Sequence, residues 1–353
     1  MAKAKDERKA AGHPLGIGRV LDEKPCLPQA ADRLDNRLPI FSNEILIEVE
    51  RLNIDAASFV QMEEETNRNE LRIAQIVLDN SKTRGKQQNR VTGSGGMLVG
   101  RVAQIGSHYK GPLKAKVGDR VATLVSLTLT PLALEEIVRV HSKTHQIEAR
   151  GHAILFERSI AAALPTDIDE TVAMAIYDVA GAPATSYRMC RPGDTVVVIG
   201  AGGKAGTLSL VAARKKMGKS GKLIAIEPFP APCAELKKLG VCSEIIQVDA
   251  TDPIAVHEAV SKATKGKMAN VVINVASVPN TENSALLCAA SKAKVLFFSM
   301  ATSFSKVTLG AEGIATEAAL IFGNGYAPGH AKFSLDLVRS HRGLRELFYR
   351  RYA

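Results

Sequence analysis

The stretch Val198-Ile199-Gly200-Ala201-Gly202-Gly203-Lys204-Ala205-Gly206 carries the most specific chemistry in the chain. Gly200, Gly203 and Gly206 make a GxxGxxG variant of the dinucleotide fingerprint. It lies between a run that reads as a strand and a run that reads as a helix, the context the motif requires. The first glycine permits a tight turn, the second lets the backbone approach a pyrophosphate, and the third lets the helix pack close to the sheet. The helix start, at Lys204 and Ala205, then offers N–H groups and a positive dipole end to phosphate. A purely structural turn could use the same glycines. The next strand, however, ends in Ile226-Glu227, and an acid there can accept hydrogen bonds from ribose hydroxyls and repel a 2′-phosphate. The combination points to NAD rather than NADP, against the plainer reading of Glu227 as a surface acid. The stretch does not match the GxxxxGKS/T pattern of nucleotide triphosphatases.

The elements around the loop form an alternating series. A β-branched strand, Thr195–Ile199, is entered through Pro192-Gly193-Asp194 and is followed by a helix from Lys204 to Met217. Further buried-type strands are expected at Lys222–Ile226, Asn270–Val275 and Lys294–Ser299. Strands alternating with helices predict a doubly wound parallel sheet, a Rossmann domain over residues 161–326. The first half reads differently. Glu44–Glu50 alternates apolar and polar residues, Leu98–Gly106 is a second strand, and Gly118-Asp119 supplies a turn before a third at Val121. Phe59–Leu78 is helical in pattern and Lys82–Arg90 reads as a polar loop. Short strands with glycine-marked turns predict an irregular β-barrel, a separate catalytic domain over residues 1–160. The expected class is therefore α/β with two domains, as 353 residues exceed one ordinary core.

Composition narrows the function. Aromatic residues are 5% of the chain and Trp is absent, which argues against an aromatic nucleic-acid or carbohydrate platform. The net charge of +10 is dispersed apart from Arg214-Lys215-Lys216 and Arg350-Arg351, so it reads as a solvated basic surface with no nucleic-acid partner. No apolar run approaches the roughly 20 residues that span a bilayer, and no membrane association is expected. The charged N-terminus, with Asp6 and Glu7, reads as a solvated end rather than a targeting signal. Cys26, Cys190, Cys233, Cys242 and Cys288 show no CxxC pair, which predicts neither a disulfide framework nor a structural zinc site and fits a reducing cytoplasm.

With its glycine loop, the segments Val117–Val121 and Arg191–Val196 and the Thr185-Ser186-Tyr187 helix, the chain resembles the medium-chain dehydrogenase/reductase superfamily. That resemblance implies a GroES-like first domain completed by residues 327–353, nicotinamide contacts near Ala276, Ser299 and Met300, and a homodimer. The positions that carry catalytic zinc ligands in metal-dependent members correspond to Asp55, Gly96 and Gly181, and glycine cannot ligate zinc. A zinc-free enzyme without any metal is expected. A closer resemblance rests on Asn53–Phe59, Val91–Leu98, Asp178–Ala184, Val278–Glu282, Phe298–Phe304 and 323–326. These stretches resemble the 3,5-diaminohexanoate dehydrogenase family. Membership would imply NAD-linked oxidative deamination of (3S,5S)-3,5-diaminohexanoate to (S)-5-amino-3-oxohexanoate, with release of ammonia, in lysine fermentation.

Such a reaction requires groups that take a proton from an ammonium and assist attack of water on an iminium. Asp55 stands at a relative's ligand position, though an aspartate before a helical run is also a natural N-cap. Asp178 lies three residues before another vacated position, in an apolar run expected to be helical from Thr171, and would otherwise make a structural hydrogen bond. Of the run Glu63-Glu64-Glu65, a solvated face by default, Glu63 is the chosen candidate. Thr92 and Ser94, with the backbone N–H groups through Gly96, could hold the substrate carboxylate, or simply form a tight turn. Lys306, Glu312, Tyr326 and His330 are unranked contributors. Two other readings stay open: a zinc-free quinone or enoyl reductase, which needs fewer acids, and a non-catalytic NAD- or RNA-binding protein.

Overall fold

The computed structural model describes residues 8–323 and 325–353; residues 1–7, read above as a solvated end, and Asn324 lie outside it. The chain divides into two compact units, Met1–Glu170 and Thr171–Ala353.

The first unit contains β1 (Ile45–Asn53), α1 (Ala56–Glu65), α2 (Glu70–Arg84), β2 (Met97–Ile105), β3 (Arg120–Thr123), β4 (Leu132–His141), β5 (Gln146–Leu155) and β6 (Ala161–Ala163). The strands form one antiparallel sheet in the order β4-β5-β1-β2-β3-β6. In β1, Ile45, Ile47 and Val49 are buried and alternate with more accessible residues, as expected of a one-sided strand. A register shift between Val49 and Arg51 then changes the phase, so that Leu52 joins the core, and Asn53 at the strand's end is buried as well. The helical run is two helices, not one. Asn67 and Arg68 adopt left-handed backbone (φ 53° and 58°), and Asn69 caps α2 by accepting from Arg72 N.

The residues before β1 are fastened by a buried ion pair. Arg19 donates to both oxygens of Glu44, at 2.8 and 2.7 Å, and to the carbonyls of Asp35 and Arg37, at 2.9 and 3.0 Å. Glu44 immediately precedes β1, so this contact holds the strand that leads to Asp55. The expected polar loop after α2 is likewise a buried junction. Lys86 and Gln87 are fully buried, and Lys86 Nζ donates to the carbonyls of Pro28 (3.3 Å) and Ala31. Loss of water from around the amine, with the nearby charge of Arg84, pushes the Lys86 pKa down to about 8.

The second unit contains α3, which begins at the boundary (Glu170–Tyr177), then α4 (Gly181–Met189), β7 (Thr195–Ile199), α5 (Lys204–Met217), β8 (Lys222–Ile226), α6 (Pro230–Leu239) and β9 (Glu244–Ile246). It continues with α7 (Pro253–Thr264), β10 (Ala269–Asn274), α8 (Glu282–Leu287), β11 (Ala289–Phe297), α9 (Phe304–Gly313), β12 (Ala319–Phe322), α10 (His330–Ser340) and α11 (Arg342–Tyr352). All six strands are parallel, in the order β12-β11-β10-β7-β8-β9. The order reverses between β7 and β10, which is where doubly wound sheets bind ligands. Residues 327–353 were expected to complete the first domain. They belong to the second unit instead: α10 packs on α4 and α5, with Ser334 Oγ donating to Ala180 O at 3.1 Å, and α11 packs on α5 and α6. Among the described residues, no helix is long and apolar enough to cross a membrane.

Two stability measurements test this packing. Arg19→Ala leaves the Glu44 carboxylate buried without its partner and should cost about 3–5 kcal/mol in urea unfolding; a loss below about 1 kcal/mol would contradict a supporting role for the pair. Lys86 binds its proton less tightly when folded (about 8) than at the ordinary 10.5, so the unfolded chain holds more protons between those values. Unfolding free energy should therefore rise with pH across that window, by up to about 1.4 kcal/mol per pH unit from this group. Lys86→Met should abolish that increment, and an unchanged slope in the variant would refute the assignment.

Candidate active site

The glycine loop of the second unit is built by close backbone contact. At Gly200 the chain turns with φ 76°, and a β-carbon there would lie 2.7 Å from the backbone of Ala276, just beyond β10. At Gly206 it would lie 2.3 Å from Gly200 O and 2.6 Å from Ala201 O, so the first turn of α5 rests directly on the loop. Gly203, the N-cap, differs: the nearest atom to a β-carbon is Gly200 O at 3.6 Å. Nothing else lies within 4 Å of that position. The N–H groups of Ala205 and Gly206 have no protein acceptor among the described residues, so this helix start can bind an anion.

Two acids are tied to the same loop. Glu227, after β8, is 6% exposed rather than a surface acid; its Oε2 accepts from Gly202 N at 2.9 Å and its Oε1 from Phe229 N at 3.3 Å. Asp178 lies just after α3, not within a helix as expected, and accepts from Lys204 Nζ at 2.5 Å. Lysine at the first position of a helix opposes the dipole. Asp178 supplies the compensating charge and holds the amine at the loop. Ala276 is buried and its N–H donates to Asn274 Oδ1 at 3.2 Å. Beyond β11, Ser299 Oγ accepts from Ala301 N at 3.1 Å, and Met300 is exposed.

The first unit gathers a second group. Asp55 caps α1: Oδ1 accepts from Ser58 N at 3.1 Å, while the buried Oδ2 has no partner among the described residues. Ser58 Oγ lies 2.5 Å from Thr92 Oγ1. Asn89 joins the loop to α1, donating to Gln61 Oε1 at 2.6 Å and accepting from Val91 N and Thr92 N at 2.8 and 3.0 Å. At Gly96 (φ 84°) a β-carbon would sit 2.1 Å from Asn53 O, so the loop closes against the end of β1. The turn engages the N–H groups of Thr92, Gly93 and Ser94 internally, against the expectation that they face a substrate. The N–H groups of Gly95 and Gly96 and the Ser94 hydroxyl have no acceptor among the described residues. Glu63 is half-buried on α1, about 12 Å along the helix from Asp55, and is not part of this group.

Among the unranked residues, His330 is buried, its ring edge-on to Tyr326 at 5.4 Å, and burial lowers its pKa. Lys306 donates to Asn280 Oδ1. Among the described residues, no group of three or more His, Cys, Asp or Glu side chains is arranged to hold a metal ion. Arg351 and Glu235 escaped the sequence reading. Arg351 Nη1 donates to Gly202 O at 2.7 Å and its other amino group pairs with Glu235. The usable signal was the apolar spacing of Leu344, Leu347 and Phe348, which makes the basic tail one face of a packed helix.

Comparison with known proteins identifies the family of the chain. Residues 18–165 match the family described as the L-erythro-3,5-diaminohexanoate dehydrogenase N-terminal domain. The chain is 43% identical to the L-erythro-3,5-diaminohexanoate dehydrogenase of Acetoanaerobium sticklandii, over 97% of this chain and 99% of that one. The chain belongs to the L-erythro-3,5-diaminohexanoate dehydrogenase family. The dehydrogenase of the same name from Fusobacterium nucleatum subsp. nucleatum is 44% identical, over 96% of this chain and 98% of that one. Membership in the diaminohexanoate dehydrogenase family makes the chain an oxidoreductase acting on a CH–NH2 group. A quinone oxidoreductase from Pseudomonas syringae pv. Tomato shares the fold, with a TM-score of 0.52 and 18% identity, covering 90% of this chain and 84% of that one.

The glycine contacts separate packing from ligand space. Gly206→Ala must push α5 off the loop and should cost about 1–3 kcal/mol. Gly203→Ala, with room for its methyl, should cost less than about 1 kcal/mol. Equal urea midpoints for the two variants would contradict the assignment of Gly206 as the packing glycine.

Proposed function

We propose that this protein catalyses NAD-dependent oxidative deamination of (3S,5S)-3,5-diaminohexanoate to (S)-5-amino-3-oxohexanoate and ammonia, a step of lysine fermentation. The observation that carries the cofactor reading is the space at Gly203 beside the Ala205 and Gly206 N–H groups, which lack an acceptor among the described residues. The substrate reading is supported by near-full-length similarity to two dehydrogenases of that name.

The residues fit a dinucleotide. Ala205 and Gly206 N–H groups, with Lys204 beside them, would hold the pyrophosphate. Glu227, after β8, would accept from the adenosine ribose and disfavour a 2′-phosphate. Ala276, Ser299 and Met300 follow strands next to the β7–β10 reversal and would border the nicotinamide. When bound, the cofactor accepts a hydride from the amine-bearing carbon. The protein's part is proton handling. Asp55 supplies a carboxylate oxygen that is buried and unpartnered, a state that favours a donor such as an ammonium. Asp55 takes one proton from the reacting ammonium, hydride loss leaves an iminium, and water adds to it. Collapse gives ketone and ammonium, with one proton released overall. Ser94 and the N–H groups of Gly95 and Gly96 are the remaining donors for the substrate carboxylate. Asp178, engaged by Lys204, acts in this reading on the cofactor side rather than as the base, and Glu63 has no assigned part. A homodimer is supported by the outer edge of β12, which has no strand neighbour among the described residues, with Phe322 and Phe304 exposed and 5.5 Å apart.

The test is nicotinamide reduction by 3,5-diaminohexanoate in EDTA, with NAD and NADP compared. Turnover with NAD, at least about tenfold preferred over NADP, is expected; no turnover would overturn the substrate assignment. Asp55→Asn keeps the cap but not the charge and should lower kcat by about 100-fold at an unchanged melting temperature. A wild-type rate in that variant would remove Asp55 as the base.

A further inference from the structure

We infer that the C-terminal helix α11 is part of the dinucleotide site, with Arg351 as the positioning residue that fixes the glycine loop. This inference rests on the cofactor reading above. It begins at Gly202, whose two flanking peptides are both held. The Gly202 N–H donates to Glu227 Oε2 at 2.9 Å, and the Gly202 carbonyl accepts from Arg351 Nη1 at 2.7 Å. No side chain could stand there, since a β-carbon would lie 2.5 Å from Pro232 Cβ and 2.7 Å from Glu227 Oε2. Arg351 is itself anchored. Its second amino group pairs with Glu235 on α6, whose other oxygen accepts from Arg350 at 2.8 Å. An ion-pair bridge thus runs from α6 to α11, with the loop carbonyl fastened to it. Tyr352, the next residue, is half-buried and hydrogen-bonds Arg351, and α11 packs on both α5 and α6.

The physical need for this clasp follows from the loop's composition. Gly200, Gly202, Gly203 and Gly206 give the segment more conformational freedom than any other residues would, and ordering it during binding would weaken affinity. Arg351 orders it in advance. A guanidinium on that carbonyl polarises the Gly202–Gly203 amide, whose N–H donates to Gly200 O at 3.3 Å, while the preceding amide holds Glu227 through the Gly202 N–H, so the clasp and the ribose-binding acid grip the loop at one residue. Two arginines facing one Glu235 leave an uncompensated positive charge near an anion site.

The experiment compares Arg351→Ala, Arg351→Lys, Glu235→Gln and the control Arg342→Ala, an exposed arginine on the same helix. Hydrogen exchange of the amides at 200–206 is followed in the ligand-free protein, and NADH binding is titrated by fluorescence. Arg351→Ala should speed loop exchange and raise the NADH Kd, each by about tenfold, with KM for NAD rising far more than kcat falls. Arg351→Lys should recover part of the loss, and Arg342→Ala should match wild type. If Arg351→Ala does not fold, Glu235→Gln, which keeps both arginines, must show the same direction in both readouts. Wild-type exchange and affinity in Arg351→Ala, or in Glu235→Gln where the former does not fold, would overturn the inference. Failure of the wild-type protein to bind NADH would instead sink the cofactor reading, while loop exchange in the ligand-free variants would still decide whether the clasp exists.

Discussion

A β-carbon at residue 206 would sit 2.3 Å from the carbonyl of Gly200 and 2.6 Å from that of Ala201. That closeness fixes how low α5 lies over the end of β7, and the rest of the second unit follows from it. With the helix seated there, Gly200 must turn with positive φ and meets the backbone of Ala276. The loops after β7 and β10 therefore touch at the place where strand order reverses. The N–H groups of Ala205 and Gly206 have no acceptor among the described residues, and a β-carbon at Gly203 would meet only Gly200 O within 4 Å. An anion-binding start of a helix is thus a by-product of backbone packing, and it exists before any ligand arrives.

The acids around this framework have distinct surroundings, and those surroundings separate their roles. Glu227 accepts two backbone N–H groups and is nearly inaccessible. Asp178 is paired with Lys204, a cation that the helix dipole disfavours at that position. Asp55 caps a helix with one oxygen and leaves the other buried without a donor among the described residues. A carboxylate oxygen in that state has the most to gain from an incoming ammonium, because no protein group offsets its loss of water. Chemistry on amines needs such a group, whereas a reductase of neutral substrates does not. Family membership and this orphaned oxygen therefore point the same way.

Much of this was legible in the sequence where the signal was local. β7, α5 and β8 begin and end at the expected residues, because β-branched runs and bounding glycines act within a few positions of themselves. The break between α1 and α2 was not legible, since Asn67 and Arg68 take left-handed backbone without the glycine that usually marks it. Lys86 falls in a stretch that reads as a polar loop, and only tertiary contacts with residues 28 and 31 make it a buried tie. The C-terminal segment shows why packing partners are harder to read than periodicity. Leu337, Val338, Leu344, Leu347 and Phe348 declare an apolar face, but nothing in their spacing says which sheet or helix it covers. For the same reason Arg351 read only as part of a basic cluster on a solvated surface, although its guanidinium reaches the glycine loop.

The central claim, that this glycine loop is a preformed dinucleotide site, is tested most directly by a crystal structure of the protein grown with NAD. The account predicts density for the pyrophosphate over the first turn of α5, against the N–H groups of Ala205 and Gly206, with a ribose at Glu227 and the Gly202 peptide unmoved. A dinucleotide bound elsewhere, or a loop that must rearrange at Gly202 to admit it, would contradict the account.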